Sequence, residues 1–348
     1  MPYNLRLVSV LVFIVLLGCS SGQNLKTKPS ERPRWVDDPG RMYPFEMYIS
    51  SVGTGDTPEA ARNNAITGVA QVFKLDIKAQ EDIIENYFET GADEELNLKR
   101  SSSVTKQINV TTDQNLKNVV VDKTWFSPKD ARHYALAYID RDQTSEIYLK
   151  DIKKADDEVA IYFGKFSEND AGISKLARLA YLNESMSRAA SRDILIQQLS
   201  TLSRGEASYT PAIAPTELIS ARNKARKQIR VAVRLEKSEW SEFENAVREV
   251  LQSFGFSIVP DNPEYVITGG LSMRKLEREG FFIRWQLDLH MSEAATQTEF
   301  LSYSDEGREG HQSYSEAERR AARTAKSKIN GEFYKKIENY LSSLIKKK

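Results

Sequence analysis

The sequence predicts an α+β protein with two modules of mostly antiparallel sheet packed on helices, joined by a helical connector, after a lipoprotein signal peptide. Three observations predict this organisation. Segments such as IRVAVRL at 229–235 alternate apolar and polar residues, as half-buried strands do. Other segments repeat apolar residues every three or four positions, as amphipathic helices do. An apolar N-terminal run ends at the single cysteine of the chain.

The length of 348 residues allows about two domains of ~100–200 residues each. The expected boundaries are 1–18 for the signal peptide, 19–34 for a flexible tether and 35–142 for a first α+β domain. A helical connector at 143–227 and a C-terminal α/β domain at 228–348 follow.

The N-terminus has the pattern of a signal peptide. Arg6 precedes a mostly apolar run at 7–17, and Gly18 and Cys19 follow. At about 1.5 Å per residue this run is too short to span ~30 Å of hydrocarbon. The segment LLGC resembles a bacterial lipobox, in which Cys19 becomes the lipid-carrying first residue, although Leu17 stands where a small residue is usual.

Cys19 has no partner for a disulfide, which is what lipid modification of a secreted protein would leave. Acyl chains such as palmitate would hold the protein to a membrane leaflet. Ser20 occupies the position where Asp often marks inner-membrane retention, so the expected location is the outer membrane, with the side left open. The alternative interpretation is an ordinary secretory peptide whose Cys19 is removed or buried.

The first domain is expected to contain one long helix and a small sheet. Strands are predicted at 47–52, 102–112, 116–126 and 133–140, with an acidic bend at 89–95. The helix is predicted at 58–87, where apolar residues recur every four positions and form a stripe that can lie across a sheet. The stripe consists of Ala61, Ala65, Val69, Phe73 and Ile77.

The connector is predicted to be a helical hairpin, and the C-terminal domain to continue with a strand at 229–235 and a helix at 239–254 that stops at Gly255. Further strands are predicted at 256–259, 265–273, 281–291 and 296–303. A last helix opens at Ser313 with a capping-box spacing and is expected to run to about Ile345.

The segment SVGTGDTPEAARNNA at 51–65 invites comparison with a phosphate-binding loop. A dinucleotide fingerprint needs a third glycine where this chain has Pro58, and a Walker loop needs Lys where it has Asp56. The sequence instead predicts a structural turn. Gly53 and Gly55 would supply turn geometry, Thr57 would cap the helix, and Pro58 would occupy its first position.

Four segments together resemble the LPP20 lipoprotein family: RPRWV at 32–36, YISSVGTGDTPEAARNNAITGVAQVFKLDI at 48–77, VVVDKTWF at 119–126 and YALAYIDRD at 134–142. The resemblance covers under a third of the chain. It implies a bacterial surface or outer-membrane lipoprotein with a small sheet wrapped on a helix, and it offers no catalytic residues. The C-terminal segment YVITGGLSM at 265–273 is similar to periplasmic domains of envelope assembly factors and of lipoprotein activators of penicillin-binding proteins.

Composition argues against several function classes. The 49 basic and 49 acidic residues cancel, which removes the broad attraction that nucleic-acid binders use. His133, His290 and His311 are too far apart in the sequence for a two-histidine zinc motif, and no G-x-S-x-G segment is present. We therefore expect no catalytic residue, no metal and no cofactor.

One polar row remains as a candidate binding face. Arg284, Asp288 and His290 alternate with apolar residues in the strand at 281–291, so they should share its wet side. The leading hypothesis is a lipid-anchored binding or assembly module whose partner is an envelope protein or peptidoglycan. The rival is an envelope hydrolase acting on wall or lipid material through Asp288 or Glu299, and a third hypothesis is a structural role in an appendage. The partner and the oligomeric state stay open.

Overall fold

The computed structural model describes residues 31–73, 77–88, 117–168, 172–236, 241–277 and 279–345. The α+β class is confirmed, because these residues form a three-stranded sheet and a five-stranded sheet with helices packed on both. Cys19, the signal peptide, most of the tether, the acidic bend at 89–95 and the strand predicted at 102–112 lie outside the described residues.

The N-terminal sheet contains β1 (Tyr48–Gly55), β2 (Val120–Ser127) and β3 (Arg132–Asp140) in the order β1-β3-β2, all antiparallel. Two helices, α1 (Pro58–Phe73) and α2 (Ile77–Phe88), occupy the range where one helix was predicted. The helix α1 lies on β1 and β3, and small apolar residues let it approach closely. The buried residues there are Ile49, Ala61, Ala65, Val69, Ala135, Ala137 and Ile139.

A helical layer follows the first sheet. It consists of α3 (Arg141–Ser167), α4 (Lys175–Leu202) and α5 (Pro215–Lys227). The carboxylate of Asp140 accepts a hydrogen bond from the Gln143 N–H at the start of α3, and Ser174 does the same for Ala177 at the start of α4. The short connection makes α3 and α4 an antiparallel pair.

The helix α4 contributes to three apolar cores in turn. Leu176 and Leu179 near its start are buried in the core of the C-terminal domain. Leu182 and Met186 pack among α2, α3 and α5. Leu199 near its end, together with Leu202, is buried under the N-terminal sheet. One helix therefore belongs to both sheet domains.

The C-terminal sheet contains β4 (Arg230–Leu235), β5 (Ser257–Ile258), β6 (Tyr265–Lys275), β7 (Phe281–Glu293) and β8 (Glu299–His311). Their order is β5-β4-β6-β7-β8, and the long strands β6, β7 and β8 are antiparallel as predicted. The strand β4 differs because it runs parallel to both β5 and β6. Its crossover through α6 (Ser241–Ser253) makes the sheet mixed.

Helices cover one face of this sheet. The predicted alternation in β7 is confirmed, because Ile283, Trp285, Leu287, Leu289 and Met291 are all buried against α6 and the C-terminal helices. The other face of β6, β7 and β8, which we call the open face, carries exposed and half-buried polar residues. The predicted helix stop at Gly255 is also confirmed, with φ of +76°.

The last helix runs without a break from Tyr314 to Ser343, close to the predicted end at Ile345, but a π-helical turn that the pattern did not predict lies inside it. It consists of α7 (Tyr314–Lys328), a π-helical turn (Ile329–Phe333) and α8 (Tyr334–Ser343). The Ser313 hydroxyl accepts a hydrogen bond from the Glu316 N–H at 3.2 Å, so the predicted cap is confirmed. The π turn widens the helix beside β8 and keeps both Ile329 and Phe333 in the core.

Candidate functional site

The strand β8 forms an edge of the C-terminal sheet. It pairs with β7 on one side, and within the described residues no strand lies on its other side. In an antiparallel pair, alternate residues direct their backbone groups at the partner strand. The Leu276 N–H donates to the Phe282 carbonyl, so the even-numbered residues of β7 bond to β6 and the odd-numbered ones bond to β8. The register then directs the backbone N–H and C=O groups of Ser302 and Ser304 outward.

A groove of about 760 Å³ runs along this edge. Its floor is β8 at 300–304, and its opposite wall is the π turn and α8. The wall contributes Glu332, Lys335, Lys336, Asn339 and Tyr340. The outward backbone groups of β8 therefore lie at the bottom of a channel that the C-terminal helix borders.

One end of the groove is aromatic. The rings of Phe300 and Tyr340 stack with centroids 4.9 Å apart, and Tyr265 meets Phe300 edge to face at 5.7 Å. Burial, and then the neighbouring Glu293 carboxylate, raises the pKa of Tyr340, so its hydroxyl stays neutral at physiological pH. This end offers flat apolar surface with hydroxyl groups at its rim.

The middle of the groove is polar and internally paired. The Tyr303 hydroxyl lies 3.2 Å from Asp305 Oδ2 and 3.4 Å from Glu332 Oε2. Lys328 Nζ lies 3.1 Å from Asp305 Oδ2 and 2.7 Å from Glu332 Oε1. Burial and the carboxylates of Asp305 and Glu332 raise the pKa of Tyr303, which keeps it a hydrogen-bond donor.

Lys335 and Lys336 differ from Lys328. Both are exposed on the helical wall of the groove, and neither has a hydrogen bond or an ion pair with any described residue. Two ammonium groups that form no ion pair with a described residue favour an anionic group in the groove. The arrangement as a whole suits an extended chain that carries backbone amides and acidic side chains.

The predicted binding face is present on β7, but its members have different neighbours. Arg284, Asp288 and His290 all lie on the open face and are half-buried. His290 Nδ1 lies 3.1 Å from Glu299 Oε2, whereas Asp288 Oδ2 accepts a hydrogen bond from Gln286 Nε2 at 2.9 Å. The three side chains share a surface without forming one polar cluster.

The carboxylates of the rival hydrolase hypothesis lie far apart along the sheet. Asp288 is opposite Ser304, while Glu299 is opposite Ser292, four residues further along β7. At ~3.4 Å per residue and ~4.8 Å between strands, their backbone positions are separated by roughly 14 Å. The register brings Glu299 to His290 instead of to Asp288.

The glycine segment at 51–65 has a different role from the predicted turn. Gly53 and Gly55 lie inside β1, opposite Ala135 and His133, and neither has a positive φ. A Cβ at either position would overlap the backbone of α1 around Ala61, so both glycines are required for close approach of strand and helix.

The start of α1 matches its prediction. Thr57 Oγ1 accepts a hydrogen bond from the Ala60 N–H at 3.1 Å, and Pro58 is the first helical residue. Loss of this hydrogen bond would leave a backbone donor of the first turn without its protein acceptor.

The described ranges lack two features, a metal-binding cluster and a membrane-spanning helix. No group of three or more His, Cys, Asp or Glu side chains in them could hold a metal ion. None of the helices formed by those residues combines the length and the apolar character needed to cross a membrane.

Residues 33–140 match the family model of the LPP20 lipoproteins. The resemblance that the sequence indicated is therefore confirmed for this region, which is under a third of the chain, and the match supports a lipoprotein of the cell envelope. No curated protein matches the chain.

Several solved structures resemble parts of the chain at low identity. The secreted protein HP1454 from Helicobacter pylori is 11% identical and aligns over 81% of this chain and 97% of its own, with a TM-score of 0.38. A minor lipoprotein from Acinetobacter baumannii is 13% identical over 33% of this chain and 91% of its own, with a TM-score of 0.23. The rare lipoprotein B from Shewanella oneidensis is 13% identical over 33% and 94%, with a TM-score of 0.22. All three scores are below 0.5, so these likenesses carry no argument about function.

Proposed function

We propose that this envelope lipoprotein, with its LPP20 domain at residues 33–140, acts by binding and without catalysis. In the proposal an extended segment of a partner protein docks beside β8 as an additional strand. The observation that carries it is the row of outward backbone groups on β8 at the floor of a groove of about 760 Å³. Ligand sites of that volume accommodate several side chains.

Strand addition would satisfy backbone groups that the described part of the chain leaves to solvent. An incoming strand would lie ~4.8 Å from β8, on the side where the groove runs. Its backbone would bond to Ser302 and Ser304, and alternate side chains would point at the wall that carries Tyr340. Backbone hydrogen bonds would supply affinity, and the side chains of the groove wall would determine which partner sequences bind.

The charged and aromatic side chains of the groove indicate which kind of partner segment would bind. Lys335 and Lys336 favour a segment with acidic side chains, and the stacked pair of Phe300 and Tyr340 favours an apolar or aromatic residue next to them. Peptidoglycan is the competing partner. It lacks the regular ladder of N–H and C=O groups that an edge strand binds, so the geometry favours a protein.

The proposed location is the outer membrane, with the protein held by lipid on Cys19. The LLGC segment and the lipoprotein family support this anchor. Incorporation of labelled palmitate that is lost in Cys19→Ala would support it, and equal labelling of both chains would contradict it. Protease treatment of intact cells would then establish which side of the membrane the protein occupies.

Docking can be tested by photocrosslinking in intact cells. A photoreactive residue replaces Asn339 on the groove wall, and a control chain carries it at Glu242, which is exposed on α6. We expect Asn339 to crosslink to a defined protein that Glu242 does not reach. The same products from both positions would contradict a site in the groove.

A second pair of variants tests the strand addition itself. Ser304→Pro removes one outward N–H of β8 and keeps the hydrogen bonds to β7, whereas Ser304→Ala keeps the N–H. The crosslink from Asn339 should be lost in the first variant and retained in the second. An unchanged crosslink in Ser304→Pro would overturn strand addition, and a crosslink to wall material would favour peptidoglycan.

A further inference from the structure

Three arginines from three strands lie in one row on the open face. Arg284 on β7 is directly opposite Arg274 on β6 and directly opposite Arg308 on β8. Residues opposite each other in a sheet point to the same face, and neighbouring strands are ~4.8 Å apart. The row therefore places three arginine side chains on the same face across about 10 Å of the sheet.

Like charges placed directly opposite each other destabilise a sheet unless a counter-charge is present. None of the three arginines forms an ion pair or a hydrogen bond with a described residue. The nearest row towards β4 carries Ser272, Gln286 and Glu306. The single carboxylate of that row, on Glu306, is diagonal to Arg284 and forms no ion pair with it.

Two arginines elsewhere on the C-terminal domain show the paired alternative. Arg248 bonds to Glu244 one turn earlier on α6, and Arg320 lies 3.0 Å from Glu309. The row on the open face differs from these two because three unpaired arginines lie directly opposite one another. Its charge is available for a group outside the described chain.

We propose that Arg274, Arg284 and Arg308 bind the phosphate groups of an anionic lipid surface. The planar guanidinium fork fits phosphate oxygens, and no helix formed by the described residues covers this row, so an extended surface can reach all three side chains. The proposal rests on the proposed lipid anchor, because a tethered chain stays close to a leaflet. The open face would then lie against the membrane while the groove along β8 stays accessible at its side.

The test uses the lipidated full-length protein reconstituted in vesicles. Lipidation would leave no free thiol, so Ser272→Cys gives a unique site for a dye on the exposed part of the open face. Quenching by a headgroup acceptor reports contact of this face with the bilayer. Vesicles of phosphatidylcholine alone are compared with vesicles that also contain phosphatidylglycerol.

The variant Arg274→Gln/Arg284→Gln/Arg308→Gln removes the row. Its control, Arg319→Gln/Arg320→Gln/Arg323→Gln, removes the same charge from exposed positions on α7, at the covered face of the sheet. In the parent, we expect phosphatidylglycerol to raise the ratio of molecules whose open face contacts the bilayer to molecules whose open face does not by roughly 100-fold. The reason is that each basic residue at an anionic surface strengthens binding about fivefold. The control should keep this response and the row variant should lose it.

Three results would overturn the inference. The first is quenching that does not depend on phosphatidylglycerol, and the second is an equal loss of quenching in the two triple variants. The third is binding of soluble polyglutamate through the row while vesicles cause no quenching. A urea unfolding curve verifies that the row variant folds, and relief of repulsion should leave its midpoint equal or higher. If the protein fails to enter vesicles at all, the lipid anchor is wrong, which separates that failure from a failure of the row.

Discussion

Arg192 on α4 and Asp156 on α3 form a buried ion pair, with Nη1 donating to Oδ1 at 2.6 Å and side chains 0% and 6% exposed. The other oxygen of Asp156 accepts hydrogen bonds of 3.0 Å from the Tyr209 hydroxyl and from the Ala212 N–H. Arg192 Nε also donates to Asp193 at 3.0 Å. The pair therefore ties the two long helices to the segment that leads into α5.

We expect Arg192→Met to lower the free energy of unfolding by about 3–5 kcal/mol, because it leaves a buried carboxylate without its cation. The matched control is Arg188→Met, one turn earlier on α4, whose side chain is 32% exposed beside Glu184 and Glu158. That change should cost ~0–1 kcal/mol. Urea unfolding followed by circular dichroism measures both. Equal losses would show that the pair at Arg192 is not specially buried in solution.

The same ion pair makes the free energy of unfolding depend on pH in the acidic range. Burial opposes ionisation of Asp156, but hydrogen bonds from Ala212, Arg192 and Tyr209 outweigh it and hold the pKa of Asp156 below its usual value of 3.8. A depressed pKa stabilises the fold above the unfolded-state value and loses that effect as the pH falls through the folded-state value. Between neutral pH and pH ~3 the parent should lose more stability than Asp156→Asn does. Asp142→Asn removes one negative charge at an exposed position of α3 and is the control for net charge. It should lose as much stability as the parent over the same pH range.

The close approach of β1 and α1 predicts that Gly53→Ala is strongly destabilising. The added Cβ would overlap the backbone at Ala61 and Ala65, so strand and helix must separate, at a cost of ~3 kcal/mol or more. Gly164→Ala on α3 is the control, because its Cβ would enter open space. That change should stabilise by about 0.5–1 kcal/mol. Thermal unfolding of both variants gives the comparison, and a neutral Gly53→Ala would refute the packing described for β1.

A buried tyrosine predicts a loss of stability in alkali. Burial, and then the carboxylates of Glu264 and Glu293, raises the pKa of Tyr265 to about 12. A raised pKa stabilises the fold below the unfolded-state value near 10, and the contribution is lost as the pH rises towards 12. Between pH 8 and pH 11 the urea midpoint of Tyr265→Phe should therefore decrease less than that of the parent. Identical falls would mean that Tyr265 ionises as freely in the folded protein as in the unfolded chain.

Local patterns in the sequence predicted much of the fold. The alternation of β7 identified its buried side residue by residue, and the caps at Thr57 and Ser313 are where spacing indicated them. These features depend on neighbours within a few positions of the chain. The two glycines of β1 were misjudged because their requirement comes from a helix that packs over them, which the local sequence does not display.

The candidate site was harder to predict because it depends on topology and register. The sequence predicted a strand in the region of β8 but did not indicate that β8 is the outer strand of the sheet. The only sequence features that pointed to the groove were therefore the aromatic residues and lysines of its wall. Arg274, Arg284 and Arg308 come together only through the pairing of three strands. Likewise, Arg192 and Asp156 meet through the packing of two helices.

The sharing of α4 between both sheet domains has a mechanical consequence. The helix has 28 residues and is about 42 Å long at 1.5 Å per residue. Because it is buried in a core at each end, neither domain can swivel on it without exposing leucines such as Leu176 and Leu199. The two sheet domains are therefore coupled through one stiff helix, so a displacement of one domain is transmitted directly to the other.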